Sequence, residues 1–154
     1  MPSWDDTAMG VVKLYAERSH CKYYQVGAAF YKGDQLLAVG YNGPTRGDDH
    51  CDEVGCAKEI DGVKQPSGSG ECRGAHAEMN AVTNAAGIGT PGLKGSRIYC
   101  TYSPCSDCAK HLRNLGITEF IYELEYDGSD VAKAFELFAK AGIAMRQYKK
   151  GEKL

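Results

Sequence analysis

The sequence lacks the features of secreted, membrane-spanning and polynucleotide-binding proteins. Its first residues contain neither a basic segment nor an apolar core, and no apolar run approaches the about 20 residues that cross a bilayer. Charge of neither sign dominates, because 18 Lys and Arg face 20 Asp and Glu, which gives a net charge of −2. Polynucleotide binding depends on clustered cations. We therefore expect a cytoplasmic protein without a signal peptide, a membrane partner or a polynucleotide partner.

Proline and tryptophan are also scarce, whereas cysteine is abundant. The 154 residues include five Pro and one Trp but seven Cys. Disulfides are rare in reducing compartments, so in a cytoplasmic protein these thiols favour metal binding. The length predicts a single domain over residues 1–154. Residues 43–74 are rich in Gly, Asp, Cys and Pro without periodicity, and we interpret them as a cysteine-rich insertion within that domain.

Two short motifs offer ligands to one metal ion. Residues 76–78 are His-Ala-Glu, and residues 104–108 are Pro-Cys-Ser-Asp-Cys. An imidazole and two thiolates leave one position of a tetrahedral zinc for water, and zinc lowers the pKa of that water towards neutrality. A carboxylate beside the metal then serves as general acid and base. The predicted zinc ligands are His76, Cys105 and Cys108, and the predicted catalytic residue is Glu78.

Helix-start signals place these ligands near helix N-termini. Ser103 followed by proline predicts an N-cap and a first helical residue, so Cys105 and Cys108 would lie one turn apart on one face. His76 and Glu78 are two residues apart, and both reach one site only if His76 lies in an incompletely helical first turn. Taken singly, the motifs also fit a redox Cys-x-x-Cys pair and a chance His-x-Glu. Their order and combination favour the zinc site.

Strands and helices alternate through the second half of the predicted secondary structure. Helices are predicted to begin near Trp4, His76, Cys105 and Val131, and strands to cover residues 25–31, 35–41, 97–101, 117–122 and a last segment ending near Gln147. Ser3 and Asp6 resemble a capping box for the first helix. The alternation favours parallel strands with helices on both faces. Such sheets bind ligands at the carboxyl ends of strands, where the second motif falls.

Five cysteines lie outside the zinc motif. Cys100 falls within a predicted strand and is interpreted as a small buried apolar residue. Four thiolates suffice for a closed structural zinc, which would stabilise an insertion that has few apolar residues. The alternative is a set of four unrelated reduced cysteines. The preferred ligands of this second zinc are Cys21, Cys51, Cys56 and Cys72, with His50 as the substitute for one of them.

Six stretches of the chain carry a resemblance to a known family. They are residues 26–28 (Val-Gly-Ala), 40–43 (Gly-Tyr-Asn-Gly), 50–56, 72–81, 103–105 and 122–127. Together they resemble the deoxycytidylate deaminases of the bacterial and phage type, and the zinc motif alone is typical of nucleobase deaminases. The resemblance implies an α/β fold, a three-layer α/β/α sandwich with a mixed five-stranded sheet.

The resemblance also implies a reaction and its regulation. It implies hydrolysis of dCMP to dUMP and ammonia for thymidylate synthesis, in a homohexamer that dCTP activates and dTTP inhibits, with Mg²⁺ accompanying a triphosphate effector. Its second, structural zinc uses cysteines that match Cys21 and Cys51. The implied substrate-binding residues are Asn42, Ala77 and Tyr126, and the implied effector-binding residues are Gly40, Tyr41, Asn42 and Gly43.

One position departs from the family, and two other functions remain open. Where relatives often carry a basic residue before Val-Gly-Ala, this chain has Tyr24 and Gln25, so Lys22 or Arg46 would supply the phosphate contact. The alternative functions are deamination of another free cytosine nucleotide or nucleoside, and a non-catalytic zinc-stabilised binding module. Glu78 argues against the module, because a closed structural zinc gains nothing from a neighbouring carboxylate.

Overall fold

Five helices and nine strands form the part of the chain that the computed structural model describes, which is residues 1–65, 72–126 and 130–152. In chain order they are α1 Trp4–Ala16, β1 Gly27–Lys32, β2 Gln35–Tyr41, β3 Gly43–Pro44, α2 Cys51–Val54, β4 Glu59–Ile60, β5 Val63–Lys64, β6 Gly74–Ala75, α3 Ala77–Ile88, β7 Arg97–Tyr102, α4 Ser106–Leu115, β8 Glu119–Leu124, α5 Asp130–Lys140 and β9 Ala144–Gln147.

The central sheet has five strands in the order β2-β1-β7-β8-β9. The pairs β1/β2 and β1/β7 are antiparallel, whereas β7/β8 and β8/β9 are parallel. Parallel neighbours need a crossover connection, and α4 and α5 provide the two crossovers. The prediction of a mixed five-stranded sheet, with parallel pairing in the second half, is confirmed.

Alternating strand residues bury both faces of this sheet. On one face, Tyr99 and Ile121 pack in a buried cluster with Met9 and Val12 of α1. On the other face, strand residues such as Phe120 pack with apolar side chains of α3, α4 and α5. The three-layer α/β/α sandwich is therefore confirmed. No helix among the described residues has the length and apolar character needed to cross a membrane.

Helix α3 lies unusually close to the edge strand β2. A Cβ atom added to Gly40 would stand 2.4 Å from the backbone nitrogen of Ala81. Two asparagine side chains of α3 tie the elements together, because Asn80 donates to the carbonyl of Tyr41 at 2.8 Å and Asn84 donates to the carbonyl of Val39 at 2.9 Å. The N-terminus of α3 is thereby fixed to the carboxyl end of β2.

The start of α4 differs from the sequence prediction. Cys105 is its N-cap and Ser106 its first residue, so the prediction that Ser103 caps this helix was wrong. Ser103 is fully buried. Its backbone nitrogen donates to the carbonyl of Leu124 at 2.8 Å, and its hydroxyl accepts from the backbone nitrogen of Tyr126 at 3.1 Å. Through these long-range bonds, Ser103 continues the pairing of β7 with β8 beyond the end of β7.

The first helix and the insertion follow the sequence prediction more closely. The capping box of Ser3 and Asp6 is present at the start of α1. Within residues 43–74, the described elements are short: the strand pairs β3/β6 and β4/β5 and the four-residue helix α2. The pair β3/β6 joins the two ends of the insertion, since Gly43 faces Ala75 and Pro44 faces Gly74.

Candidate metal centre

Three side chains from two helix N-termini converge beside the sheet. The Nδ1 atom of His76 lies 3.4 Å from the Sγ atom of Cys105 and 3.3 Å from the Sγ atom of Cys108. All their ligand atoms lie within 4.8 Å of one another, and among the described residues this is the one such group of three or more His, Cys, Asp or Glu. The structure thus brings together the three zinc ligands that the sequence predicts.

Local backbone geometry accounts for this convergence. His76 is the N-cap of α3 with extended φ and ψ of −74° and 148°, which places its ring outside the regular helix, as the two-residue spacing to Glu78 requires. Cys105 caps α4, and its Sγ accepts from the backbone nitrogen of Cys108 at 3.3 Å. The N-terminus of a helix favours a negative charge, so it favours the thiolate that a metal binds.

The three side chains shift one another's pKa values. The hydrogen bond with Cys108 lowers the pKa of Cys105 to about 4. The hydrogen bond with Cys105 raises the pKa of His76 to about 9. The same thiolate raises the pKa of Cys108. A bound cation would replace the protons that the imidazole and thiols of this set carry.

The donor atoms and their separations fit zinc. Zinc takes thiolate sulfur at about 2.3 Å and imidazole nitrogen at about 2.0–2.1 Å in a tetrahedral arrangement. Sulfur-to-nitrogen separations of 3.3 and 3.4 Å are close to the distance between two ligand atoms that make such bonds to one tetrahedral zinc. Two sulfurs and one nitrogen are ligands that zinc accepts and that hard cations such as Mg²⁺ do not prefer. The residues present therefore fit a zinc ion with one position open.

Glu78 is the buried acid of this centre. It lies in the first turn of α3 and is only 4% exposed. Burial raises the pKa of Glu78, while the charge of His76 and a hydrogen bond from Cys108 act in the opposite direction. A carboxyl group whose pKa moves towards neutrality is suited to take up and release protons. The carboxyl group lies near enough to His76, Cys105 and Cys108 for each of them to act on its pKa.

Three tyrosines form an aromatic wall, defined here as Tyr24, Tyr102 and Tyr126. The rings of Tyr102 and Tyr126 are stacked with centroids 4.8 Å apart, and the ring of Tyr24 meets both edge-on at 5.4 and 4.9 Å. Burial raises the pKa of Tyr126, and the negative charge of Glu78 raises it further. The backbone nitrogen of Tyr126 also donates to the hydroxyl of Ser103, two residues before the ligand Cys105, so the wall borders the metal centre at Tyr126. Sequence reasoning singled out Tyr126 and missed the other two.

The other predicted substrate residues have structural contacts of their own. Ala77 is fully buried, and its carbonyl oxygen lies 2.7 Å from the position that a Cβ of Gly40 would occupy. The Oδ1 atom of Asn42 accepts from the backbone nitrogen of Val26 at 2.8 Å, and its Nδ2 atom donates to the carbonyl of Tyr24 at 2.9 Å. An amide has two donors and two lone pairs, so Asn42 keeps one of each for a ligand.

The four predicted effector residues extend from the end of β2 to the start of β3. Gly40 provides the close approach to α3, and Gly43 pairs with the far end of the insertion. Tyr41 is 36% exposed. The backbone roles of the two glycines explain their presence without an effector, so the assignment of Gly40, Tyr41, Asn42 and Gly43 to an effector stays a prediction.

Three of the four cysteines of the predicted second zinc lie in one neighbourhood, because Cys21 and Cys56 are near enough to Cys51 to raise its pKa. Cys21 accepts from the backbone nitrogen of Tyr24 at 3.5 Å, and Cys72 accepts from that of Gly74 at 3.4 Å. Burial raises the pKa of Cys51, against an opposing hydrogen bond from Arg73. Cys56 is half-buried. Within the described ranges, no three of these four sulfurs lie within 4.8 Å of one another.

His50, the predicted substitute ligand, is the N-cap of α2 and has an unusual environment. Its Nδ1 atom is buried and, among the described residues, has no hydrogen-bond partner. Its ring lies 4.2 Å from that of His20, whose Nδ1 atom is 2.6 Å from a carboxylate oxygen of Asp52. A buried polar atom without a partner is costly. Sequence reasoning missed His20, although it directly precedes Cys21.

An α/β/α sandwich that carries one imidazole, two thiols and a buried carboxyl group at helix N-termini defines the class of zinc-dependent nucleobase deaminases. Comparison with known proteins agrees. Residues 2–124 match the cytidine and deoxycytidylate deaminase zinc-binding region. The chain therefore belongs to the cytidine and deoxycytidylate deaminase family of hydrolytic enzymes, as the sequence resemblance predicts.

Individual relatives sharpen this placement. The chain is 33% identical to the deoxycytidylate deaminase of Schizosaccharomyces pombe, over 96% of this chain and 44% of the relative. It is 34% identical to ComE operon protein 2 of Bacillus subtilis, over 94% of this chain and 71% of the relative. The chain thus spans less than half of the length of the Schizosaccharomyces pombe enzyme. A dCMP deaminase of the cyanophage S-TIM5, solved with dCMP and dUMP, superposes with a TM-score of 0.76 at 28% identity, covering 96% of this chain and 98% of that one.

Proposed function

We propose that this chain catalyses the hydrolytic deamination of dCMP to dUMP and ammonia and so supplies dUMP for thymidylate synthesis. The observation that carries the proposal is the convergence of His76, Cys105 and Cys108 beside the buried carboxyl group of Glu78. Relatives named as deoxycytidylate deaminases support the choice of reaction. The cyanophage enzyme, which binds dCMP and dUMP, supports the choice of substrate.

Glu78 performs the proton transfers in this proposal. Zinc bound by the three ligands would supply Lewis-acid activation of the attacking water. Glu78 accepts a proton from that water and delivers it to the ring nitrogen of the pyrimidine as the water oxygen adds to the ring carbon. It then takes the second proton from the added hydroxyl and gives it to the amine, which leaves as ammonia when its bond to the ring carbon breaks. The raised pKa of Glu78 suits both directions of transfer. Proton transfer by a positioned side chain contributes about 10²–10⁴-fold to the rate.

The surrounding residues orient the nucleotide. The stacked rings of Tyr102 and Tyr126 offer an apolar wall for the pyrimidine. Ala77 follows His76 directly and lines the approach to Glu78. Asn42 has one amide hydrogen and one lone pair left to bind a sugar hydroxyl, since its other amide hydrogen goes to Tyr24 and its other lone pair accepts from Val26. A water-excluding wall also strengthens the electrostatic interactions of Glu78.

The decisive experiment is an assay of ammonia release from dCMP, dCTP, deoxycytidine and CMP by the purified zinc-containing protein. We expect the highest kcat/KM with dCMP. Rapid turnover of deoxycytidine without turnover of dCMP would replace the substrate assignment by the alternative, a nucleoside deaminase. Absence of turnover with all four compounds, in protein that retains zinc, would favour the non-catalytic binding module.

A second, structural zinc within the insertion forms part of this proposal. The buried and unpartnered Nδ1 atom of His50 supports it, because a metal bond would satisfy that atom. The preferred set remains Cys21, Cys51, Cys56 and Cys72, with His50 replacing one member. Metal analysis of purified protein should give two zinc ions per chain, and one ion per chain would refute the second site.

Regulation and assembly rest on the family resemblance alone. We propose a cytoplasmic homohexamer activated by dCTP with Mg²⁺, inhibited by dTTP, and using residues 40–43 for the effector. Sedimentation velocity should detect the hexamer. Adding dCTP or dTTP to the dCMP assay should raise or lower activity at low substrate concentration, and identical curves with and without effector would refute the regulation.

A further inference from the structure

The β4/β5 hairpin of the insertion lies against the aromatic wall. The Nζ atom of Lys64, at the end of β5, is 4.3 Å from the ring centroid of Tyr24 and 4.8 Å from that of Tyr23. The ring of Tyr24 in turn lies 4.9 Å from that of Tyr126, which borders the metal centre. Lys64 and Tyr126 therefore contact the same ring, that of Tyr24, and Lys64 brings a positive charge to the aromatic wall.

An ion pair of Glu59, the residue of β4 that faces Lys64, holds the hairpin in this position. The carboxylate of Glu59 accepts from the Nζ atom of Lys22 at 2.7 Å and from the hydroxyl of Tyr23. The backbone nitrogen of Gln65 donates to the carbonyl of Lys58 at 2.8 Å and closes the hairpin. Glu59 thus neutralises Lys22, one of the two residues that the sequence offers as a phosphate contact.

Lys64 has a different kind of partner. Its ammonium group faces aromatic rings, and among the described residues no carboxylate lies within 4.0 Å of it. A ring face attracts the cation without accepting all of its hydrogens, so an ammonium in this position can still donate to an anion. The second residue offered by the sequence, Arg46, lies in an exposed turn of residues 45–48, and within the described part of the chain its side chain makes no hydrogen bond, ion pair or contact with a ring of the wall.

We propose that Lys64 binds the 5′-phosphate of the nucleotide substrate and makes the enzyme prefer the monophosphate to the nucleoside. This proposal rests on the proposed function. A pyrimidine placed against Tyr126 with its amino group towards Glu78 extends its sugar and phosphate away from the metal, and Lys64 is a cation that the hairpin brings to the wall at Tyr24. Lysine binds phosphate as a point charge, and the insertion thereby replaces the basic residue that relatives often carry before Val-Gly-Ala.

The test compares dCMP with deoxycytidine in matched variants. Lys64→Gln should lower kcat/KM for dCMP about 10–100-fold, as expected for the loss of a hydrogen bond to a charged group, and should leave kcat/KM for deoxycytidine within about twofold. Lys64→Arg keeps the charge and should restore most of the dCMP activity. Lys58→Gln removes the same charge from the same segment, away from the aromatic wall, and should change neither substrate.

A binding measurement separates this proposal from the proposed function. Calorimetric titration should show that Lys64→Gln weakens the binding of dUMP about 10–100-fold and leaves the binding of deoxyuridine unchanged. If dCMP kinetics and dUMP affinity are unaffected, the role of Lys64 is refuted while the deaminase stands. If both substrates lose activity equally, Lys64 only holds the hairpin against the wall, and the proposal is also overturned. If the unmodified protein deaminates neither substrate, the proposed function fails, and the dUMP titration still decides whether Lys64 binds phosphate.

Discussion

The two groups of cysteines in this protein differ in what holds them. Cys105 and Cys108 lie at the start of α4, a helix whose Ala109 and Leu112 are fully buried. The cysteines of the insertion lie on loops and on α2, a four-residue helix with no buried residue. The first group lies 3.3 and 3.4 Å from its histidine, whereas among the described residues no three sulfurs of the second group lie within 4.8 Å of one another. Packing against the sheet therefore positions the first ligand set, and the second set lacks this support from the core.

Helix α3 and the β4/β5 hairpin show the same contrast. Helix α3, which carries His76 and Glu78, is fixed to β2 by two asparagine bonds and by backbone contact at Gly40. The hairpin β4/β5 exposes Ile60 and Val63 by 61% and 64% and is held by one ion pair and by contacts to tyrosine rings. Chemistry that needs fixed geometry resides on the first kind of element. Substrate selection is assigned to the second, where sequence can change without disturbing the core.

The largest predicted effect is at the packed site. Cys105→Ala should remove the catalytic zinc and reduce deamination to background, because two ligands hold zinc much less tightly than three. Zinc content and ammonia release are measured on the same preparation. Cys100→Ala, the same change in the adjacent strand β7, should retain zinc. If Cys105→Ala kept both its metal and its activity, the ligand role would be wrong.

Glu78→Gln should abolish most turnover while leaving the metal in place. The amide keeps the size of the side chain but transfers no protons, so kcat should fall by about 10²–10⁴-fold. Zinc content should match that of the unmodified protein, which distinguishes this variant from Cys105→Ala. Glu53→Gln makes the same change at an exposed residue of α2 and should leave kcat unchanged. Unchanged activity of Glu78→Gln would contradict its catalytic role.

Cys51→Ala should affect the insertion and spare the chemistry. If the second zinc is bound, the variant should lose one of two ions and its insertion should become more sensitive to protease, with kcat within a few fold of normal. Each kcal/mol of stability lost lowers Tm by roughly 2–4 °C in a domain of this size, so a shift of a few degrees is expected. A variant with unchanged zinc content would show that Cys51 is not a ligand.

The sequence predicted the packed region well because its signals are local. Helical periodicity, the capping box of Ser3 and Asp6, and the strand alternation depend on near neighbours, and the spacing of His76 to Glu78 required a non-helical histidine, which the structure has. The error at Ser103 arose where long-range bonds to Leu124 and Tyr126 outweighed a local capping preference. Propensity is a weak prior against such tertiary contacts.

The aromatic wall and its cation were not predictable from local patterns. Tyr24, Tyr102 and Tyr126 come from three separate parts of the chain, and Lys64 reaches Tyr24 from a hairpin of two-residue strands. Strands of this length give no periodic signal. The departure at Tyr24 and Gln25 before Val-Gly-Ala was visible in the sequence, but only the fold shows that a lysine of the insertion contacts the ring of Tyr24.

The smallest predicted effect concerns the anchor of the hairpin. The hydrogen bond from Lys22 holds the pKa of Glu59 below its ordinary value of 4.5, and the hydroxyl of Tyr23 acts in the same direction. A lowered pKa means that this anchor stabilises the hairpin above about pH 4.5 and is lost as the pH falls and the carboxylate is protonated.

Glu59→Gln should therefore increase hydrogen exchange of residues 58–65 by a few fold at pH 7, while exchange within α3 and α4 stays the same. The difference from the unmodified protein, corrected for intrinsic exchange, should shrink as the pH falls below 4.5. Equal exchange at pH 7 would show that the tyrosine contacts of Lys64 alone hold the hairpin, because they are then the remaining link between the insertion and the wall.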